Sequence, residues 1–138
     1  MAKVVHCRVR RASGLALITF VGMSAPALAQ SDVAGTWSGT VVQNEGSSGY
    51  SVVMTITAAA ATTDYPDLKC GGALTRVGSA GGYVFYTETI TRGRLDQGGR
   101  CIDGTITIAS AQGKLAWGWF GAFKGKALNG HALLTRRP

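Results

Sequence analysis

The chain has 138 residues, with 14 Lys and Arg against 7 Asp and Glu for a formal charge of +7, and 46% of it is hydrophobic. That length supports one domain with a single core rather than several. Four of the basic residues (Lys3, Arg8, Arg10 and Arg11) and none of the acidic ones precede residue 30, so ten bases face seven acids beyond it and the balance falls to +3. The remaining cations are dispersed and not clustered as a nucleic-acid face requires, so no nucleic-acid partner is expected.

The first 29 residues place those cations before an apolar run from Leu15 to Met23 and the small-residue triplet Ala27, Leu28, Ala29. Basic, apolar and A-x-A-like segments in that order predict a secretory signal peptide cleaved after Ala29. The apolar run is well below the roughly 20 residues that cross a bilayer, and residue 30 is Gln, not a lipid-accepting Cys. Residues 30–138 are therefore expected to form one exported domain, periplasmic or secreted, monomeric and not inserted in a membrane.

Strand signals dominate that domain. Short β-rich runs occur at 36–43, 50–57, 72–77, 83–91, 101–109, 114–121 and 127–136. Tyr50, Val52, Met54 and Ile56 alternate with Ser51, Val53, Thr55 and Thr57, and Leu115, Trp117 and Trp119 alternate with Ala116, Gly118 and Phe120, the period of half-buried strands. Turn-forming clusters separate the runs at 44–49, 78–82, 92–100 and 111–113. The alanine-rich segment 57–65 suggests a helical turn too short to stand alone. Asp103 and Gly104, inside the 101–109 run, suggest a bulge. Seven to eight strands joined by hairpin-length loops predict an all-β fold, a small antiparallel barrel whose closure leaves no exposed edge.

Cys7 leaves with the leader, and an exported chain keeps Cys70 and Cys101, an even pair predicted to be bonded. A tetrahedral metal site would need more ligands than these two and His131, the remaining histidine, supply. No metal or cofactor is expected. Around Cys70, Tyr65 and Pro66 predict a turn, and Gly71 and Gly72 free the backbone to enter the next strand.

GTWSGTV (Gly35–Val41), YPDLKCGGAL (Tyr65–Leu74), FYTETITRG (Phe85–Gly93) and CIDGTITI (Cys101–Ile108), followed by LAWGW and a terminal LLTRR, resemble a family of small extracytoplasmic β domains of bacteria. Its members occur as stand-alone exported proteins and as outer domains of actinobacterial receptor-type serine/threonine kinases. The resemblance covers essentially the whole chain beyond the leader. It implies an all-β fold, a Cys70–Cys101 disulfide and a sensing or binding role by association. GTWSGT is also similar to the first strand of the avidins, but the rest of the chain follows the other motif set, and biotin binding is not expected.

Catalytic groups are sparse. The carboxylates are Asp32, Asp64, Asp67, Asp96, Asp103, Glu45 and Glu88. No nucleophile-elbow pattern is present, and a carboxylate pair such as Glu88 and Asp103 is the nearest approach to glycosidase chemistry. No enzymatic activity is expected and no catalytic residue is assigned. Trp37, Tyr50, Tyr86, Trp117 and Trp119 would line a barrel mouth if their faces converge, and the same alternation also describes a filled core. Trp119 is the aromatic with the best prospect of partial exposure. Arg92, Arg94 and Arg100, in the 92–100 segment, form a candidate contact loop whose plainer reading is a flexible, solvated hairpin tip. The expected function is recognition of an unidentified small ligand or an envelope or host protein. The alternative is a protein–protein module such as an inhibitor of a periplasmic or host hydrolase.

Overall fold

The computed structural model describes residues 33–43 and 48–138; the leader expected at 1–29, with Cys7, and the first part of the 44–49 turn cluster lie outside the described residues. Eight strands follow one another: β1 (Gly35–Gln43), β2 (Tyr50–Ile56), β3 (Ala61–Tyr65), β4 (Cys70–Ala80), β5 (Tyr83–Arg92), β6 (Gly104–Ala111), β7 (Lys114–Phe123) and β8 (Lys126–Arg136). Each pairs with its sequence neighbours, and β1 closes on β8, giving a closed antiparallel barrel in the order β1-β2-β3-β4-β5-β6-β7-β8. The closing register sets Trp37 opposite Arg136 and Val42 opposite His131.

The period-two alternation specifies which side chains fill the barrel, because a one-residue slip would turn every inward residue outward. Val52, Met54 and Ile56 of β2, Val84, Tyr86, Glu88 and Ile90 of β5, Ile106 and Ile108 of β6 and Leu115, Trp117 and Trp119 of β7 are buried. His131 is exposed on the outer face of β8.

Three local expectations are corrected. The alanine-rich segment is not helical: residues 57–60 form a tight turn and Ala61–Tyr65 is a strand. Thr57 decides this locally, since its hydroxyl accepts from the amides of Ala59 and Ala60 and competes with helical bonding. Pairing with β2 and β4 on either side then outweighs the helix preference of alanine. Asp103 and Gly104 form no bulge; β6 begins at Gly104, and Cys101 makes an isolated bridge to Arg94. A register shift lies instead between β4 and β5, where Gly71 pairs with Arg92 and Gly72 with Ile90. Gly72 is required there less for freedom than for space, as a Cβ would lie 2.7 Å from the Thr89 carbonyl oxygen and 3.2 Å from Glu88 Cγ.

The segment 92–100 is not a loose hairpin tip. A 3-10 turn at Leu95–Gln97 is followed by Gly98 at φ 81°. Amides of Leu95, Gln97, Gly98, Gly99, Arg100 and Cys101 all bond to backbone carbonyls within 93–101. The Cys70–Cys101 disulfide joins this segment to the start of β4 across 31 residues of sequence. Gly93, at φ 72°, makes the close packing possible, because a Cβ there would lie 2.6 Å from that of Cys70.

Candidate functional site

The antiparallel order puts Ser48 and Gly49 and the connections 66–69, 93–103 and 124–125 at one end of the barrel, together with the disulfide. At the opposite end Trp37 closes the interior, its Nε1 donating to the Val33 carbonyl at 2.8 Å and the Arg136 guanidinium stacked over its ring at 4.4 Å. The disulfide end is open. It holds a cavity of about 410 Å³ whose lining includes Tyr50, Tyr65, Glu88, Trp119, Phe123 and Leu128, with Arg100 also contributing.

Glu88 forms the floor. It is 2% exposed, the one buried charged side chain among the described residues. Two strands supply its three partners. From β3, Thr63 Oγ1 and Tyr65 OH donate to Oε1, the tyrosine at 2.7 Å; from β7, Trp119 Nε1 donates to Oε2 at 2.9 Å. Burial pushes the Glu88 carboxyl above its ordinary range, against the opposing pull of these three donors. Tyr65 is raised as well, first by burial and then by the adjacent Glu88 charge.

Two glycines make the tryptophan's reach possible. A Cβ on Gly104 would lie 2.6 Å from Trp119 Cε2, and one on Gly121 would lie 2.6 Å from Cζ2. The indole thus lies across β6, whose Gly104 is paired with Glu88, and reaches the carboxylate on β5. Tyr50 stands on the wall, its ring edge-on to Tyr65 with centroids 5.9 Å apart, and its hydroxyl accepts from Gln43 Nε2 at 3.0 Å. Burial, followed by the Glu88 charge, pushes the Tyr50 hydroxyl up to about 12.

The five aromatics singled out in the sequence are thus divided. Tyr50 and Trp119 meet at the cavity, Trp119 as a wall residue only 8% exposed. Trp37 plugs the far end, Trp117 is buried in the filled interior, and Tyr86 faces a smaller recess with Ile56, Leu74 and Arg76. The arginines are divided too. Arg92 pairs with Asp64 on the outer face, and Arg94 pairs with Asp96 and, at 2.8 Å, Asp103, while Arg100 alone of the three reaches the cavity rim.

Glu88 and Asp103 have separate hydrogen-bond partners, though the Asp103 charge contributes to raising Glu88. Asp103 Oδ1 accepts from the Ile90 amide and from Arg94, while Glu88 is held by Thr63, Tyr65 and Trp119. Among the described residues no group of three or more His, Cys, Asp or Glu is placed to hold a metal ion. The sequence reading passed over Tyr65 and Thr63 as site residues. The signal for them was available only in combination: a lone inward Glu in an otherwise apolar alternation needs inward donors, and Thr63 and Tyr65 share the face of β3. In comparisons with known proteins, no family model matches this chain, and no curated protein and no solved structure is similar to it.

Proposed function

We propose that this is an exported, non-enzymatic binding protein of the bacterial envelope, periplasmic or secreted, that recognises a small ligand or envelope component in the disulfide-tied mouth of its barrel. The observation that carries the reading is the cavity of about 410 Å³ with aromatic walls and a hydrogen-bonded carboxylate at its floor. Small-molecule sites are concave, largely apolar and fitted with a few convergent polar groups, in this range of volume. The filled core beneath Glu88 supports it, because a ligand in the mouth displaces no packed side chain. Apolar residues line the inside of the barrel, and its outside mixes Thr, Ser, Lys and Arg with exposed apolar residues such as Val77, Tyr83, Phe120 and Leu133, whereas a membrane-spanning barrel has a polar interior and an apolar outer band. The disulfide suits an oxidising compartment.

The test is native mass spectrometry of the protein taken directly from the cells that export it. A retained extra mass that disappears on denaturation, and is absent from Leu128→Trp, in which the mouth is filled, is the expected result. A clean apo mass from both proteins would sink the reading.

One observation favours a second reading, a protein–protein module such as a hydrolase inhibitor. The 93–101 segment is held by six backbone hydrogen bonds and by the disulfide, and a preorganised loop loses little entropy on docking. A stable complex recovered with an envelope or host hydrolase, abolished by Arg100→Glu, would favour it over the cavity.

A further inference from the structure

The hydrogen bonding of Glu88 is asymmetric. Oε1 accepts from both Thr63 and Tyr65, whereas Oε2 accepts from Trp119 alone. A carboxylate offers about four lone-pair sites, and an indole N–H can only donate. One acceptor position therefore remains, on the oxygen held by Trp119, and Glu88 itself lines the cavity.

The charge on this group has no cationic partner among the described residues. Arg92 and Arg94 are committed to Asp64, Asp96 and Asp103 outside the barrel. Arg100 sits exposed at the rim, where water screens it. Buried carboxylates are ordinarily paired with a cation. Tyr50, Tyr65 and Trp119 line the same cavity, and aromatic π-faces attract a cation within about 6 Å. An anionic head group would instead meet Glu88 as a like charge.

We infer, resting on the reading of the cavity as a ligand site, that the ligand carries a protonated amine that donates to Glu88 Oε2, with an apolar or aromatic body packed between Tyr50 and Trp119. The ammonium supplies both missing elements, the donor and the positive charge.

The experiment uses three compounds of one shape and different charge: 2-phenylethylamine, 2-phenylethanol and 3-phenylpropionate. Each is titrated into the exported protein by calorimetry at pH 7, with the Trp119 indole N–H resonance followed by NMR. The amine is expected to bind at least tenfold more tightly than the alcohol and to shift the indole signal. Glu88→Gln is expected to erase that preference, and Leu128→Trp to abolish amine binding. Equal or tighter binding of the alcohol or of the propionate overturns the ammonium assignment while leaving the cavity reading intact. Failure of all three to bind overturns it as well, and the native mass of the exported protein then decides separately whether the cavity holds something else. The comparison of the three compounds on the unaltered protein stands even where a variant does not fold.

Discussion

Trp119 Nε1 donates to Glu88 Oε2 at 2.9 Å although the two residues belong to strands that are not neighbours, with β6 between them. The bond exists because β6 presents Gly104 at the crossing, so that the indole lies flat over its backbone. Aromatic wall and polar floor are thereby fixed as one unit, and the tryptophan is held in the rotamer that lines the cavity.

Gly104→Ala should break that unit. The new Cβ overlaps Trp119 Nε1 and Cε2, with the Phe120 carbonyl oxygen 2.8 Å away on the other side. Overpacking of this kind costs about 1 to 3 kcal/mol. Denaturant unfolding should register that loss, and the Trp119 indole N–H resonance should move toward its solvent-exposed position. An unshifted resonance would show that the indole does not lie over Gly104.

Stability should depend on the protonation of Glu88 in a direction unusual for a carboxylate. Burial raises its folded-state pKa above the ordinary 4.5, so the folded protein holds this proton more tightly than the unfolded chain. The contribution is fully present below the unfolded value and is lost as pH rises through the folded one. The groups around Glu88 are Thr63 and Tyr65 of β3, Tyr50 of β2, Trp119 of β7 and, more remotely, Asp103. Asp67 and Asp96 act oppositely: their pKa values are lowered, by the Ser51 amide and by Arg94, and their contributions are lost as pH falls. The difference in unfolding free energy between the wild type and Glu88→Gln isolates the Glu88 contribution. It should shift in favour of Gln as pH rises above 4.5, and a flat difference would refute the assignment.

Reduction or Cys70→Ser should cost about 3 to 4 kcal/mol, the chain-entropy value for a loop of this span. The consequence extends to the site, because Cys101 lines the cavity and anchors the segment carrying Arg100. Thermal unfolding with and without reductant measures the first effect. An unchanged melting temperature would mean that the bond contributes nothing to stability.

Arg94 and Asp103 share an ion pair but should not be equivalent. Asp103 also accepts from the Ile90 amide at 2.8 Å, a backbone group of β5 that β6 leaves unpaired before Gly104. Removing that acceptor should cost about 1 to 2 kcal/mol and speed hydrogen exchange at Ile90. Arg94→Ala leaves the Ile90 amide bonded to Asp103 and, although Arg94 Nη1 also donates to the Ile90 carbonyl at 3.2 Å, should cost less stability than loss of Asp103. Equal effects from the two alanine variants would assign the importance to the ion pair rather than to the backbone bond.

The barrel was legible in the sequence because its strands are half-buried. Inside and outside alternate with period two, so Tyr50, Val52, Met54 and Ile56, or Leu115, Trp117 and Trp119, declare their face without reference to any partner strand. The Cys70–Cys101 bond was legible from parity, these being the two cysteines beyond the expected leader, and that needs no coordinates. The strand at Ala61–Tyr65 was not, since its pairing energy comes from β2 and β4 and is invisible in a run of alanines.

Depth along the barrel was also hidden. Alternation says that Trp37, Tyr86, Trp117 and Trp119 all face inward, but not which end each approaches, and that depends on where each strand begins in the register. Only the closed structure separated Trp37, which plugs one end, from Trp119, which walls the other. It alone brought Thr63, Tyr65 and Trp119 to Glu88 from strands up to 31 residues apart in sequence. Local composition determines which face a residue takes, because that is a property of the pleat; which residues meet is a property of register and closure, and these are set by all eight strands together.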